Sequence, residues 1–74
     1  MTADEFIAIA GIDIPDKNSS TYHMAMSAAS AITEFEIQNG ITGQVYSSRS
    51  DGGRHYVEAT TIDGLSYGIG IDLS

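Results

Sequence analysis

Apolar residues recur at helical spacing through the first half of this chain and at strand spacing through its last third. Near the start, Phe6, Ile7, Ile9 and Ala10 follow an acidic opening. Thr2 and Glu5 have capping-box spacing: the hydroxyl accepts from the Glu5 amide and the carboxylate reaches back. Asp4 and Glu5 also suit the positive end of a helix dipole. Gly11 is a left-handed stop, so a short helix from Thr2 to Gly11 is predicted. A helix this short must dock on something to persist. Ile12 and Ile14 then alternate with Asp13 and end at Pro15, the only proline, which disfavours helix at Ile14. Residues 16–20 form a turn-rich connector.

A longer helix is predicted from an N-cap at Ser19 or Ser20 to about Asn39. Ala25, Ala28, Ala29, Ile32 and Phe35 fall on one stripe, which Met24, Ala31 and Ile37 widen. Asn39-Gly40 supplies the stop. A rival reading makes Ile32 to Ile37 a strand entering a tight turn at Gln38-Asn39-Gly40. The unbroken alanine-rich stripe favours the helix, and its small side chains let the helix lie close to a sheet.

From Gln44 onward the character changes. Gln44 to Ser50, Arg54 to Ile62 and Leu65 to Leu73 are rich in Tyr, Val, Ile, Thr and Ser, with Asp51-Gly52-Gly53 and Asp63-Gly64 between them. Both separators are hairpin signals. Leu65, Tyr67, Ile69, Ile71 and Leu73 alternate strictly. A two-residue loop at Asp63-Gly64 would sink Glu58 into that apolar face. A three-residue loop at Ile62-Asp63-Gly64 pairs Val57 with Ile69 and Ala59 with Tyr67, with Gly64 at the left-handed bulge. Val57, Ala59, Tyr67, Ile69 and Ile71 are therefore expected to face the helices. Tyr56, Glu58, Thr60, Ser66, Gly68, Gly70 and Asp72 are expected to face outward. In the first hairpin either Val45 or Tyr46 points inward. The bare strip at Gly68 and Gly70 has two readings: glycines lying under Tyr56, or backbone left open to a close partner.

The expected fold is a single small α+β domain over residues 1–74. It has a short N-terminal helix, a longer second helix, and a three-stranded antiparallel meander packed on the helices. The third strand is an edge, which makes strand-to-strand pairing possible. With 42% hydrophobic and 18% charged residues, the composition is that of a globular chain. There are no cysteines, so no disulfide or thiolate metal site staples the fold.

Charge narrows the functional classes. Ten acidic side chains face three basic ones, a formal net charge of −7. A domain of this size presents a negative field over most of its surface. Nucleic acid and anionic membranes are excluded as ligands, and a basic protein surface is the expected partner. No apolar run approaches ~18 residues, and acids occupy the positions a secretory leader keeps basic. A cytoplasmic protein is expected.

Candidate chemistry is sparse. His23 and His55 lack metal-ligand spacing, and no nucleophile elbow or phosphate-binding loop is present. Neither an enzymatic activity nor a cofactor is expected. Lys17, Arg49 and Arg54 are too few to track a phosphate backbone. Among the acids, Asp4 and Glu5 suit a helix start, Asp51 and Asp63 suit turns, and Asp13 and Asp16 lie in the connector. Glu34, Glu36, Glu58 and Asp72 have no such local reason. Glu34 and Glu36 lie where the helix dipole disfavours anions, and point about 200° apart.

In size, charge and element order, a chain running from the Thr2–Gly11 helix through the Ser20–Gly40 helix to the Gln44–Leu73 meander resembles the small acidic phage anti-CRISPR proteins, especially inhibitors of type I systems. The resemblance carries no diagnostic motif. It implies a non-enzymatic inhibitor in the host bacterial cytoplasm. Such a protein mimics DNA and covers the basic surface of the interference complex that reads the motif beside the target, for instance on its large subunit. On that reading Glu34, Glu36, Asp51, Glu58, Asp63 and Asp72 are the contact residues. Tyr56 and Tyr46 add aromatic anchors, and the inhibitor is a monomer rather than a homodimer. The competing class is a phage or mobile-element interaction module that dimerises or assembles through its sheet edge.

Overall fold

In the computed structural model, which describes residues 1–39 and 45–72, two helices cover one face of a three-stranded antiparallel sheet. Helix α1 spans Ala3–Ala10 and α2 spans Ser20–Asn39; strands β1 (Val45–Asp51), β2 (Arg54–Thr60) and β3 (Ser66–Asp72) follow in meander order. The expected Gly40 stop, the Gln44 strand start and the inward Leu73 lie outside the described residues, as does the side chain of Val45.

Local chemistry explains the helix ends. Thr2 Oγ1 accepts from the Glu5 amide at 3.1 Å, and Glu5 Oε1 accepts from the Thr2 amide at 2.9 Å. These bonds hold the Glu5 carboxyl below its ordinary range. Gly11 closes α1 at φ +71°, donating to the Ile7 and Ala8 carbonyls. Ser19 caps α2, its Oγ accepting from the Tyr22 amide at 3.1 Å. The short α1 is tied to α2 at two places. The Met1 ammonium donates to Thr33 Oγ1, and the Tyr22 hydroxyl donates to Asp4 Oδ1.

The hairpins follow their glycines. Gly52 and Gly53 both have positive φ, +58° and +84°, as a type I′ turn between Asp51 and Arg54 requires. The second hairpin has the three-residue loop. The Thr61 amide donates to the Leu65 carbonyl, the Gly64 amide donates to the Thr61 carbonyl, and Gly64 sits at φ +90°. Val57 pairs with Ile69 and Ala59 with Tyr67, as the burial argument demands.

The core joins Phe6 of α1 and Ala25, Ala28, Ala29 and Ile32 of α2 to Val57, Ala59 and Ile71 of the sheet. Phe35, Tyr67, Ile69, Ile12 and Ile14 pack around it. Phe35 and Tyr67 stack with ring centroids 5.6 Å apart. Helix α1 lies against β1 and β2, and α2 against α1 and β3. Two residues assigned to the apolar stripe are not in it: Ile37 and Met24 are exposed. The stripe instead continues from Ile32 by one turn to Glu36, which is buried.

Candidate functional site: the open sheet face and its acids

The face of the sheet away from the helices is built by register. Arg49 stands opposite Tyr56, and Tyr56 opposite Gly70; Ser47 stands opposite Glu58, and Glu58 opposite Gly68; Asp51 stands opposite Arg54, and Arg54 opposite Asp72. Cross-strand partners share a face, so these side chains form one surface. The Arg49 guanidinium lies 4.2 Å from the Tyr56 ring centroid and that of Arg54 lies 5.7 Å from it. A Cβ on Gly70 would sit 2.7 Å from two ring carbons of Tyr56. Gly70 is therefore a glycine because Tyr56 and Arg54 cross directly over it. Arg54 continues across the strand, where Nη2 donates to the Gly70 carbonyl at 3.3 Å and Nη1 lies 3.8 Å from Asp72. Beside this group, a shallow cavity of about 300 Å³ is lined by Ser47, Arg49, Tyr56, Glu58 and Gly68.

This face brings together Asp51, Glu58, Asp72 and Tyr56 of the expected contact residues, with two arginines among them. Its charge is mixed. From the chain alone, Arg49 and Arg54 count only as cations too few to track a phosphate backbone. The alternation of β2 already puts Arg54 beside Tyr56, whereas the position of Arg49 opposite Tyr56 is visible only once Asp51 is paired with Arg54. Asp63 lies at the opposite end, in the β2–β3 turn, and Glu34 is exposed on α2.

Glu36 differs from the other acids. It is 4% exposed, and the Tyr46 hydroxyl donates to its Oε2 at 2.5 Å. Tyr46 stands opposite Ala59 on the helix-facing side of β1, so its ring is not an anchor on the open face. Burial first, then the bond to Glu36, push its hydroxyl up to about 12. The carboxylate that had no local explanation thus acquires a tertiary one. Its signal in the sequence was its place four residues beyond Ile32.

The histidines are separate. His23 is exposed on α2, while His55 Nδ1 lies 2.9 Å from Ser50 Oγ. No group of three His, Cys, Asp or Glu side chains fit to hold a metal ion occurs among the described residues. Among those residues, too, no carboxylate is hydrogen-bonded to the His55 ring. No helix among them is long and apolar enough to cross a membrane. No protein-family model, curated protein or solved structure matches the chain.

Proposed function

We propose that the protein is a non-enzymatic inhibitor of the phage anti-CRISPR kind. It acts as a monomer in the bacterial cytoplasm and competes with DNA for the basic, motif-reading surface of a type I interference complex. The observation that carries this reading is the excess of exposed, unneutralised acid. The net charge of −7 is spread over 4495 Å² of surface. Among the described residues only two ion pairs form, Lys17–Asp4 and Arg54–Asp72, both exposed. Exposed pairs of this kind neutralise little of the field. Asp13, Asp16, Glu34, Glu58 and Asp63 are exposed and take part in neither pair.

A field of this sign steers the chain toward lysine- and arginine-rich surfaces and away from nucleic acid. The contact set consists of Glu34, Asp51, Glu58, Asp63 and Asp72 with Tyr56. Glu36 leaves that set because its carboxylate is occupied inside the fold. The test is competition between the protein and a target-bearing DNA duplex for a purified type I interference complex, across a salt series. Displacement of the duplex that weakens as salt rises supports the reading. Full duplex binding in the presence of excess protein at low salt overturns it, as does inhibition unchanged in an E58Q/D63N variant.

A further inference from the structure

Strand β3 lies at the edge of the sheet. The Thr61–Leu65 backbone bond sets the alternation of the β2–β3 ladder. Tyr67, Ile69 and Ile71 exchange their main-chain bonds with β2. Ser66, Gly68, Gly70 and Asp72 therefore turn their N–H and C=O groups away from it. Among the described residues, strand order β1-β2-β3 leaves that side of β3 without a neighbouring strand. The strand has no proline, lysine or bulge, the usual devices that protect an edge. Arg54 partly covers it, crossing bare Gly70 and donating to the carbonyl that faces outward. Below the edge, a groove of about 360 Å³ runs between α2 and β3. It is lined by His23, Met24, Ser27 and Ala28 on the helix and Ile69 and Ile71 on the strand. Met24 is 39% exposed there. A fourth strand would lay its helix-side residues onto Met24 and Ala28 and extend the core by one position.

We infer that this edge takes up an extended, basic segment of a partner protein by strand addition. The segment places apolar residues over the Met24–Ala28 groove and lysines or arginines toward Glu58 and Asp72. The charge decides between occupants. A second copy would bring two chains of −7 together, edge to edge, whereas a basic strand relieves that field. The guanidinium of Arg54 swings off the Gly70 carbonyl to admit it. This inference rests on the proposed preference for basic protein surfaces and specifies how part of one is held.

The probe is an end-blocked octapeptide alternating lysine and valine, with a glutamate–valine octapeptide as its opposite. Titration into the whole chain is followed by backbone amide NMR and hydrogen exchange. Gly68→Pro removes an outward-facing donor while leaving every β2–β3 ladder bond in place. Gly68→Ala keeps the donor, and the atoms nearest its Cβ belong to Glu58, at 3.6 Å or more. The expected result is protection of the Gly68 and Gly70 amides by the lysine peptide alone. Binding is expected to weaken at least tenfold in Gly68→Pro and to stay within about twofold in Gly68→Ala, both variants remaining folded by circular dichroism. Should Gly68→Pro fail to fold, a lysine–valine peptide N-methylated at alternate residues gives the same reading on the native chain. Unprotected Gly68 and Gly70 amides overturn the inference. So does equal binding by Gly68→Pro or the methylated peptide, or a salt-strengthened homodimer seen by sedimentation. Duplex displacement that persists while strand addition fails leaves the inhibitor reading standing. Strand addition without displacement removes the inhibitor and keeps the docking edge.

Discussion

The bond between Tyr46 and Glu36 couples this fold to alkaline pH. An unfolded tyrosine ionises near pH 10, whereas the folded hydroxyl is held up to about 12. Because the folded value is the higher one, the contribution is fully present below about pH 10 and is lost as pH rises toward about 12. Urea denaturation as a function of pH should show that decline, and Tyr46→Phe should reduce it. At neutral pH the same variant strips a buried carboxylate of its donor and should cost about 1–3 kcal/mol. A second single-residue constraint is Gly70. Gly70→Ala drives a methyl into the Tyr56 ring and should cost about 1–3 kcal/mol. Adding Tyr56→Ala should recover part of that loss, because the obstruction goes with the ring. Thermal or urea melts of the two single variants and the double variant measure the coupling.

At the scale of elements, the short helix α1 depends on its cap and its docking. Thr2→Ala removes one of the reciprocal capping bonds and should lower stability by about 1 kcal/mol, read as a shifted urea midpoint with unchanged slope. Much of the element pattern was legible in the chain. Thr2, Glu5 and Gly11 mark α1, and the glycines mark the hairpin turns. Glu58 dictated the loop length between β2 and β3 because the alternative register would bury it. Glu36 and Ile37 were not legible in this way. Apolar composition extends the stripe to Ile37, but helical geometry carries it from Ile32 to Glu36. A carboxylate is tolerated there only because a tyrosine from another element reaches it. Likewise, the guanidinium–tyrosine stack needs Arg49 opposite Tyr56, a pairing fixed by the Gly52-Gly53 turn.

For the whole molecule, charge is the dominant property. Surplus negative charge repels itself in the folded state. Raising salt from about 10 mM to about 150 mM shortens the screening length from about 30 Å to about 8 Å. The melting temperature should rise over that range by roughly 4–8 °C for each kcal/mol of repulsion removed. A flat or falling melting temperature would show that the acids lie too far apart to interact. The order of elements, the α+β class, the face of each residue on β2 and β3, and the sign of the field follow from the chain alone, because they rest on local periodicity, turn stereochemistry and a charge count. The burial of Glu36, the arginines gathered around Tyr56, the groove beside α2 and the outward-facing amides of β3 were decided by tertiary structure. The first and third bring helix and strand side chains together, and the others depend on strand pairing, so they are set by packing and register rather than by the spacing within any one segment.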